Sequence, residues 1–203
     1  SPDRLRDQKT LMPGITAAFV PVNRVLPRDK HDLAVIRDIA SRYSAEDEDA
    51  VHVLPLFGKN ARFMVISDAP NFSEEKEKRF ASGKASEFLD YSLAENGLKK
   101  SDAYWTGLLK RQKLEKMISP EEVKTYLPYL KEEMDTLHPP VILTLGSQAA
   151  RQLVPDLKGN ILDHVCTSHY SKELDATIIV GFNPGMIAFD SEKQDLLTDV
   201  FAK

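Results

Sequence analysis

Residues 61–71 read ARFMVISDAPN, and the organisation of the whole chain follows from this stretch. Phe63–Ser67 is short and largely apolar, which is typical of a strand buried on both faces. Pro70 ends the strand, because proline has no backbone N–H to donate to a neighbouring strand. The stretch therefore predicts an interior strand followed directly by the carboxylate of Asp68. In open α/β sheets, this carboxyl-end edge is where ligands bind.

The rest of the chain alternates between apolar runs and amphipathic segments. Four apolar runs predict buried strands: Phe63–Ser67, Ala103–Leu109, Val141–Leu145 and Ala176–Val180. Helices are predicted at Asp32–Tyr43, at Ala85–Asn96, at Pro120–Leu137, from a Ser147 cap to Val154, and at Glu192–Ala202. This alternation predicts a three-layer α/β/α fold around a central four-stranded, mainly parallel sheet.

Three other segments carry weaker signals. Val51–Phe57 alternates weakly and is a candidate strand, Phe72–Lys84 is predicted to be a charged loop, and Asp156–Tyr170 is predicted to be irregular. We expect residues 1–50 to form an N-terminal extension and a helix packed on the core, and residues 51–203 to form the main domain.

Composition narrows the functional classes. The chain has 203 residues, of which 42% are hydrophobic and 29% charged, as expected for one globular domain with a sizeable core. Its net charge of −4 supplies no global basic field, so any nucleic-acid contact must come from a local patch. No apolar run approaches the ~20 residues of a membrane span, and no signal peptide is evident, so we expect a cytoplasmic protein without membrane contact.

Several common catalytic motifs are missing. The sequence has no phosphate-binding Gly-Lys-Ser/Thr loop, Gly-rich dinucleotide turn, nucleophile elbow or His-Glu-x-x-His pair. Polar residues instead follow the buried strands, namely Asp68, the Thr106-Gly107 pair and Asn183. A carboxylate in such a place can act in catalysis, but it is more often a helix cap or a loop hydrogen-bond acceptor.

The order of these segments resembles the uracil-DNA glycosylase superfamily, nearest the iron–sulfur branch that carries Gly-Glu-Ala-Pro-Gly in its first motif. Ser67-Asp68-Ala69-Pro70-Asn71 matches that motif, and Phe80 matches the phenylalanine that stacks on the base. Thr106-Gly107 falls where a strand normally ends in Thr-Asn. Asn183-Pro184-Gly185-Met186 falls on the last motif, which is usually His-Pro.

The resemblance implies a set of site residues. It implies a catalytic role for Asp68 and Asn183. The substrate-binding residues that it implies are Ala69, Pro70, Asn71, Phe80, Gly107, Pro184 and Met186. Contacts to the DNA backbone are predicted for Lys84, Lys110, Arg111, Lys113 and Ser147.

Departures from the family pattern bear on the expected chemistry. The iron–sulfur branch uses four cysteines, whereas this chain has only Cys166, so we expect no cluster and no other cofactor or metal. The family's first-motif glutamate is Asp68 here, the asparagine that reads uracil is Gly107, and the last-motif histidine is Asn183. Loss of the asparagine that recognises uracil should strongly reduce uracil excision, or change the base that the pocket accepts.

Two functions from different classes therefore remain open, and so does the question of whether the chain is an enzyme. One is a glycosylase-like domain that acts on single- or double-stranded DNA in repair or replication, with divergent base-reading motifs. The other is a catalytically inactive nucleic-acid-binding or interaction module of a larger, phage-type DNA polymerase or of a repair protein. In either case we expect a bacterial or phage-infected cell, and polymerase domains are possible flanking partners. A nucleotide or small-molecule binder is a weaker third reading. The Ser-Pro start without an initiator Met fits a piece of a longer protein.

Overall fold

The structure is a computed structural model that describes residues 25–183 and 198–202. Its helices are α1 (Lys30–Glu46), α2 (Phe72–Glu77), α3 (Glu87–Ala94), α4 (Pro120–Leu137) and α5 (Ser147–Leu153), with a further helical turn at 198–201. Its strands are β1 (Leu56–Phe57), β2 (Phe63–Ser67), β3 (Ala103–Gly107), β4 (Val141–Thr144), β5 (Ser168–Ser171) and β6 (Ala176–Val180). Short 3-10 turns lie at Lys84–Ser86, Lys100–Asp102 and Ile161–His164.

The strands form one sheet in the order β1-β3-β2-β4-β6-β5. The four central strands are parallel, with Val65 of β2 opposite Trp105 of β3 and Leu143 of β4. They are the four strands that the apolar runs predicted, which confirms the mainly parallel α/β fold. Their carboxyl ends meet at one edge of the sheet.

The predicted strand count was too low, because the described chain has six strands. β1 and β5 pair antiparallel at the two edges of the sheet. β1 is only the last part of the candidate strand at 51–57, and β5 begins inside the segment 156–170 that was predicted to be irregular. An edge strand has one neighbour and an open side, so its sequence (SHYS in β5) lacks the apolar run that marks a buried strand.

A second correction concerns the segment after β2. Phe72–Lys84 was predicted to be a loop, but residues 72–77 form α2. Asn71 is the N-cap: its Oδ1 accepts from the Glu74 amide at 2.8 Å, and Glu74 Oε1 accepts from the Asn71 amide at 3.1 Å. This reciprocal capping box satisfies two amides that a helix start otherwise leaves unpaired. The spacing Asn-x-x-Glu was the sequence signal for it.

Two layers of helices sandwich the sheet. Met64 and Ile66 of β2 point to a core that includes Ile39 of α1 and Leu130 of α4. Phe63 and Val65 point to the opposite core, which includes Leu93 of α3 and Phe201 of the last helical turn. The alternation of β2 residues between the cores follows from the period-two geometry of a strand. The predicted three-layer architecture is therefore confirmed. The start of the helix predicted at Glu192–Ala202 lies outside the described residues.

Lys110 is fully buried beneath the carboxyl end of β3. Its ammonium group donates to Thr106 Oγ1 at 2.7 Å and to the Gly107 carbonyl at 2.9 Å, and it forms an ion pair with Glu133 of α4. Glu133 also accepts a hydrogen bond from Tyr104. Since Lys110 does not reach the surface, the structure removes it from the predicted set of DNA-backbone contacts.

Replacing Lys110 should therefore affect stability. Lys110→Ala leaves the Glu133 carboxylate buried without its cation, which should lower the free energy of unfolding by about 3–5 kcal/mol. The exposed neighbour provides the control, because Lys113→Ala should change stability by less than about 0.5 kcal/mol. Urea denaturation followed by circular dichroism measures both. Equal midpoints and slopes for Lys110→Ala and the wild type would contradict the buried pair.

Candidate functional site

A cavity of about 350 Å³ opens at the carboxyl-end edge of the sheet. Asp68, Asn71, Phe80, Lys113 and Asn183 all line it, so residues from four different parts of the sequence meet around one space. Ala69 and Pro70 complete the wall next to Asp68. The topology explains this convergence, because parallel strands bring their carboxyl-end loops to the same edge. Pro184 and Met186 lie outside the described residues.

The carboxylate of Asp68 binds the start of α5. Its Oδ1 accepts a hydrogen bond from the Ala149 amide at 2.7 Å, and its Oδ2 accepts one from the Gln148 amide at 3.3 Å. These amides lie in the first turn of α5, where no intrahelical partner is available. Asp68 therefore caps a helix that follows it by about eighty residues.

Two neighbouring features follow from that cap. Gly146, not Ser147 as predicted, is the N-cap residue of α5, and it has no side chain with which to cap the helix. A Cβ on Gly146 would lie 2.3 Å from Asp68 Cγ, so only glycine leaves room for the carboxylate. Ser147 is instead the first helical residue and is partly buried. Its predicted DNA contact stays a prediction.

Burial raises the pKa of the Asp68 carboxyl, while the hydrogen bonds from Ala149 and Gln148 and the charge of Lys113 act against the rise. Removing a carboxylate from water disfavours its charged form, and hydrogen bonds to its oxygens favour that form. Each oxygen keeps a further lone pair, so the group can still accept a hydrogen bond from a molecule in the cavity.

Phe80 and Gly107 form a second tightly packed contact at this edge. The Phe80 side chain is 1% exposed and belongs to the core around α3. A Cβ on Gly107 would lie 2.8 Å from two ring carbons of Phe80 and 2.7 Å from the Leu109 carbonyl oxygen. The ring therefore occupies the space where an asparagine side chain at position 107 would begin. The buried position of Phe80 thus requires glycine at position 107.

Glu74 is a cavity-lining residue that was not among the site residues predicted from the sequence. It is buried, lines the cavity, and accepts from the Ala81 amide at 2.6 Å through Oε2. Ala81 has a φ of +57°, so this bond holds a left-handed turn next to Phe80. Burial raises the pKa of the Glu74 carboxyl, against the hydrogen bonds from Ala81 and Asn71.

The remaining predicted cations differ in their surroundings. Lys113 is exposed at the cavity, where its charge acts on Asp68. Arg111 donates from Nη1 to Glu122 Oε2 at 2.6 Å and lies over the Tyr126 ring, so its side chain packs against α4. Lys84 is exposed and is not among the residues that line the cavity. DNA contacts by these three residues stay predictions.

The number of cysteines does not fit an iron–sulfur cluster. The chain has one cysteine, Cys166, which is buried, and a four-thiolate ligand set cannot be built from it. Within residues 25–183 and 198–202, no three His, Cys, Asp or Glu side chains are grouped closely enough to hold a metal ion.

In the same residues, no helix has the length and apolar character needed to cross a membrane.

The sequence resemblance implied an α/β/α sandwich around a mainly parallel sheet, and the structure has this architecture, with a cavity at the carboxyl ends of the strands. A family model described as the uracil DNA glycosylase superfamily matches residues 54–202. This match covers most of the chain and includes β2, the cavity and the last helical turn. The chain therefore belongs to the uracil DNA glycosylase superfamily, as its motifs indicated.

Individual relatives fall into two groups. A DNA polymerase III subunit alpha from Yersinia pestis is 29% identical over 206 residues, which is 100% of this chain but 17% of that protein. A DNA polymerase from Bacillus phage SP01 is 29% identical over 47% of this chain and 10% of the polymerase. A type-4 uracil-DNA glycosylase from Pyrobaculum aerophilum is 32% identical over 45% of this chain and 47% of the glycosylase. The chain thus spans less than half the length of each of these relatives.

The raised pKa of Asp68 predicts a pH-dependent stability. Because its folded pKa lies above the ordinary value of 3.8, the folded state binds the proton more tightly than the unfolded state. The stability that this group supplies is present below pH 3.8 and is lost as the pH rises through the folded pKa. Asp68→Asn removes the titration and keeps one acceptor oxygen for Ala149. The wild type should therefore lose stability relative to Asp68→Asn as the pH rises from about 4 to 7.

Urea unfolding at a series of pH values measures this difference. Glu74→Gln is a parallel case, because the pKa of Glu74 is also raised by burial, and the difference should have the same sign. The raised pKa would be contradicted if the wild type instead gained stability relative to Asp68→Asn as the pH rises from about 4 to 7.

Proposed function

We propose that this chain is a DNA-binding domain that retains the ligand cavity of the superfamily but does not excise bases efficiently, and that it works within a DNA polymerase in replication or repair. The observation that carries this proposal is the Asp68 carboxylate, both oxygens of which are engaged by amides of α5. The residue at the position of the family's first-motif acid therefore has a structural task that accounts for its presence.

Base excision needs groups that this site lacks or uses elsewhere. Cleavage of a glycosidic bond leaves positive charge on the sugar and negative charge on the departing base. Donors aimed at the base stabilise the anion, and removing one such donor typically costs ~10²–10³ in rate. At position 107 the chain offers only a backbone carbonyl, which accepts from Lys110, and an amide. The Phe80 ring blocks a longer side chain there.

DNA binding does not need these catalytic groups. The cavity lies at the sheet edge where α/β proteins bind ligands, and Lys113 supplies a positive charge at its wall. The asparagine at position 183 brings an amide to the same space. The whole chain has a net charge of −4, and the carboxylates of Asp68, Glu74 and Glu115 also line the cavity, so a phosphate contact at this opening falls to Lys113.

The polymerase context is supported by the alignments. The Yersinia pestis relative matches this chain over all of its residues, and it is named as a polymerase subunit several times longer than the chain. The phage relative is also named as a DNA polymerase. We infer that the domain presents DNA to, or holds DNA for, polymerase domains of the same protein.

A second candidate function has an observation in its favour. Asp68 and Asn183 line one cavity, as catalysis at this edge would require, and burial raises the pKa of Asp68. Carboxyls with raised pKa values are common in active sites. This candidate is an active glycosylase whose altered pocket accepts a base other than uracil.

A strand-nicking assay separates the two functions. The substrates are DNA duplexes and single strands that carry uracil, hypoxanthine or a mismatched base, each followed by alkali treatment. We expect no product above the background of Asp68→Ala on any substrate, while fluorescence anisotropy shows that the wild type binds the same DNA. Lys113→Glu should weaken that binding, and Lys172→Glu, the same charge reversal at an exposed residue outside the cavity, is the control.

Two results would contradict the proposal. Cleavage by the wild type that disappears in a folded Asp68→Ala variant would establish an active glycosylase. Absence of binding to every DNA substrate, with the protein folded, would exclude a DNA-binding module.

A further inference from the structure

An unusually exposed aromatic side chain stands at the cavity. Phe72, the first residue of α2, is 73% exposed and contributes to the cavity wall. Phe80, the residue matched to the family's stacking phenylalanine, is 1% exposed and packed against Gly107. Phe80 therefore belongs to the core, whereas Phe72 faces solvent at the cavity opening.

The surface beside Phe72 is fixed in place. Gln112 lines the cavity and its Nε2 donates to Glu75 Oε2 of α2 at 2.8 Å, which ties α2 to the segment 111–118. At the other end of that segment, the Gln148 side chain of α5 bonds both the amide and the carbonyl of Ile118, at 3.0 and 3.1 Å. The segment 111–118 is thus hydrogen-bonded at both of its ends. The bond from Gln112 also holds α2, the helix that carries Phe72.

Between these anchors the chain is exposed. Residues 113–117 all face solvent, and they include two apolar side chains, Leu114 at 74% exposure and Met117 at 60%. Lys113 from the same stretch lines the cavity, as does Glu115. The opening therefore combines an exposed aromatic face, exposed apolar side chains, one cation at Lys113 and one carboxylate at Glu115.

We propose that Phe72 is the platform on which an unpaired base of single-stranded DNA stacks at the cavity opening, with Lys113 contacting the adjoining phosphate. This inference rests on the proposed DNA-binding function and specifies its substrate class. A flat, solvent-facing ring offers a π-face to any base, and a neighbouring cation tracks the backbone, which is the combination that proteins use to bind single strands. A base paired within a duplex has both faces covered by its neighbours and cannot use the ring.

The experiment compares Phe72→Ala, Phe72→Trp and the wild type. The probes are a fluorescein-labelled oligodeoxythymidine strand and an abasic strand of the same length, which keeps the phosphates and removes the bases. Tyr170→Ala is the matched control: Tyr170 is 66% exposed, but it pairs with Thr177 at the amino end of β6, on the opposite edge of the sheet. Anisotropy gives each dissociation constant, and tryptophan fluorescence reports stacking at position 72.

Phe72→Ala should weaken binding of the thymidine strand by about 5- to 100-fold and leave binding of the abasic strand unchanged. Phe72→Trp should bind the thymidine strand as well as the wild type, and that strand should quench its added fluorescence, whereas the abasic strand should not. Lys113→Glu should weaken binding of both strands, because it acts on the phosphate. Tyr170→Ala should bind like the wild type.

Two outcomes overturn the inference and are distinct from each other. If the wild type binds the thymidine strand and Phe72→Ala binds it equally well, Phe72 is not the platform, the proposed DNA-binding function stands, and the exposed apolar residues instead suit a protein surface. If the wild type binds neither strand nor duplex DNA, the proposed function fails together with the inference.

Discussion

The hydrogen bonds between the Asp68 carboxylate and the amides of Gln148 and Ala149 hold the edge of the sheet together. They join the end of β2 to the start of α5, and they require glycine at position 146. Gln148 in turn binds Ile118 and so anchors the segment that borders the cavity. One carboxylate thereby positions a strand end, a helix start and, through the helix, one side of the cavity opening.

The same interaction limits what the cavity can do chemically. A carboxylate that stabilises a helix start is retained whether or not the protein cleaves a bond, so its presence alone does not indicate catalysis. The contact between Phe80 and Gly107 limits the cavity in a second way, because the Phe80 ring leaves no room for a side chain at position 107. Both motif positions therefore have packing partners within the fold, at the edge where the cavity opens.

Local patterns were sufficient to predict much of this fold. The apolar runs located β2, β3, β4 and β6, and the helix predicted at Pro120–Leu137 has these bounds in the structure, where Ser119 and Glu122 form a capping box at its start. Two of the failures, at Lys110 and at Asp68, share a cause, which is that the decisive partner is distant in sequence. Lys110 looked like a surface cation in a basic stretch and is buried because Glu133 comes from another layer. The cap formed by Asp68 joins residues 80 and 81 positions apart, and no local spacing indicates it.

Amide hydrogen exchange at the start of α5 shows whether the Asp68 carboxylate caps this helix. The Ala149 amide has no partner within a regular helix start, so its protection depends on Asp68, whereas the Ala150 amide donates to the Gly146 carbonyl. The Ala149 amide should exchange at least about five-fold more slowly in the wild type than in Asp68→Ala, with a smaller change at Ala150. Equal exchange rates at Ala149 in the two proteins would contradict the cap and would leave the Asp68 carboxylate available for chemistry in the cavity.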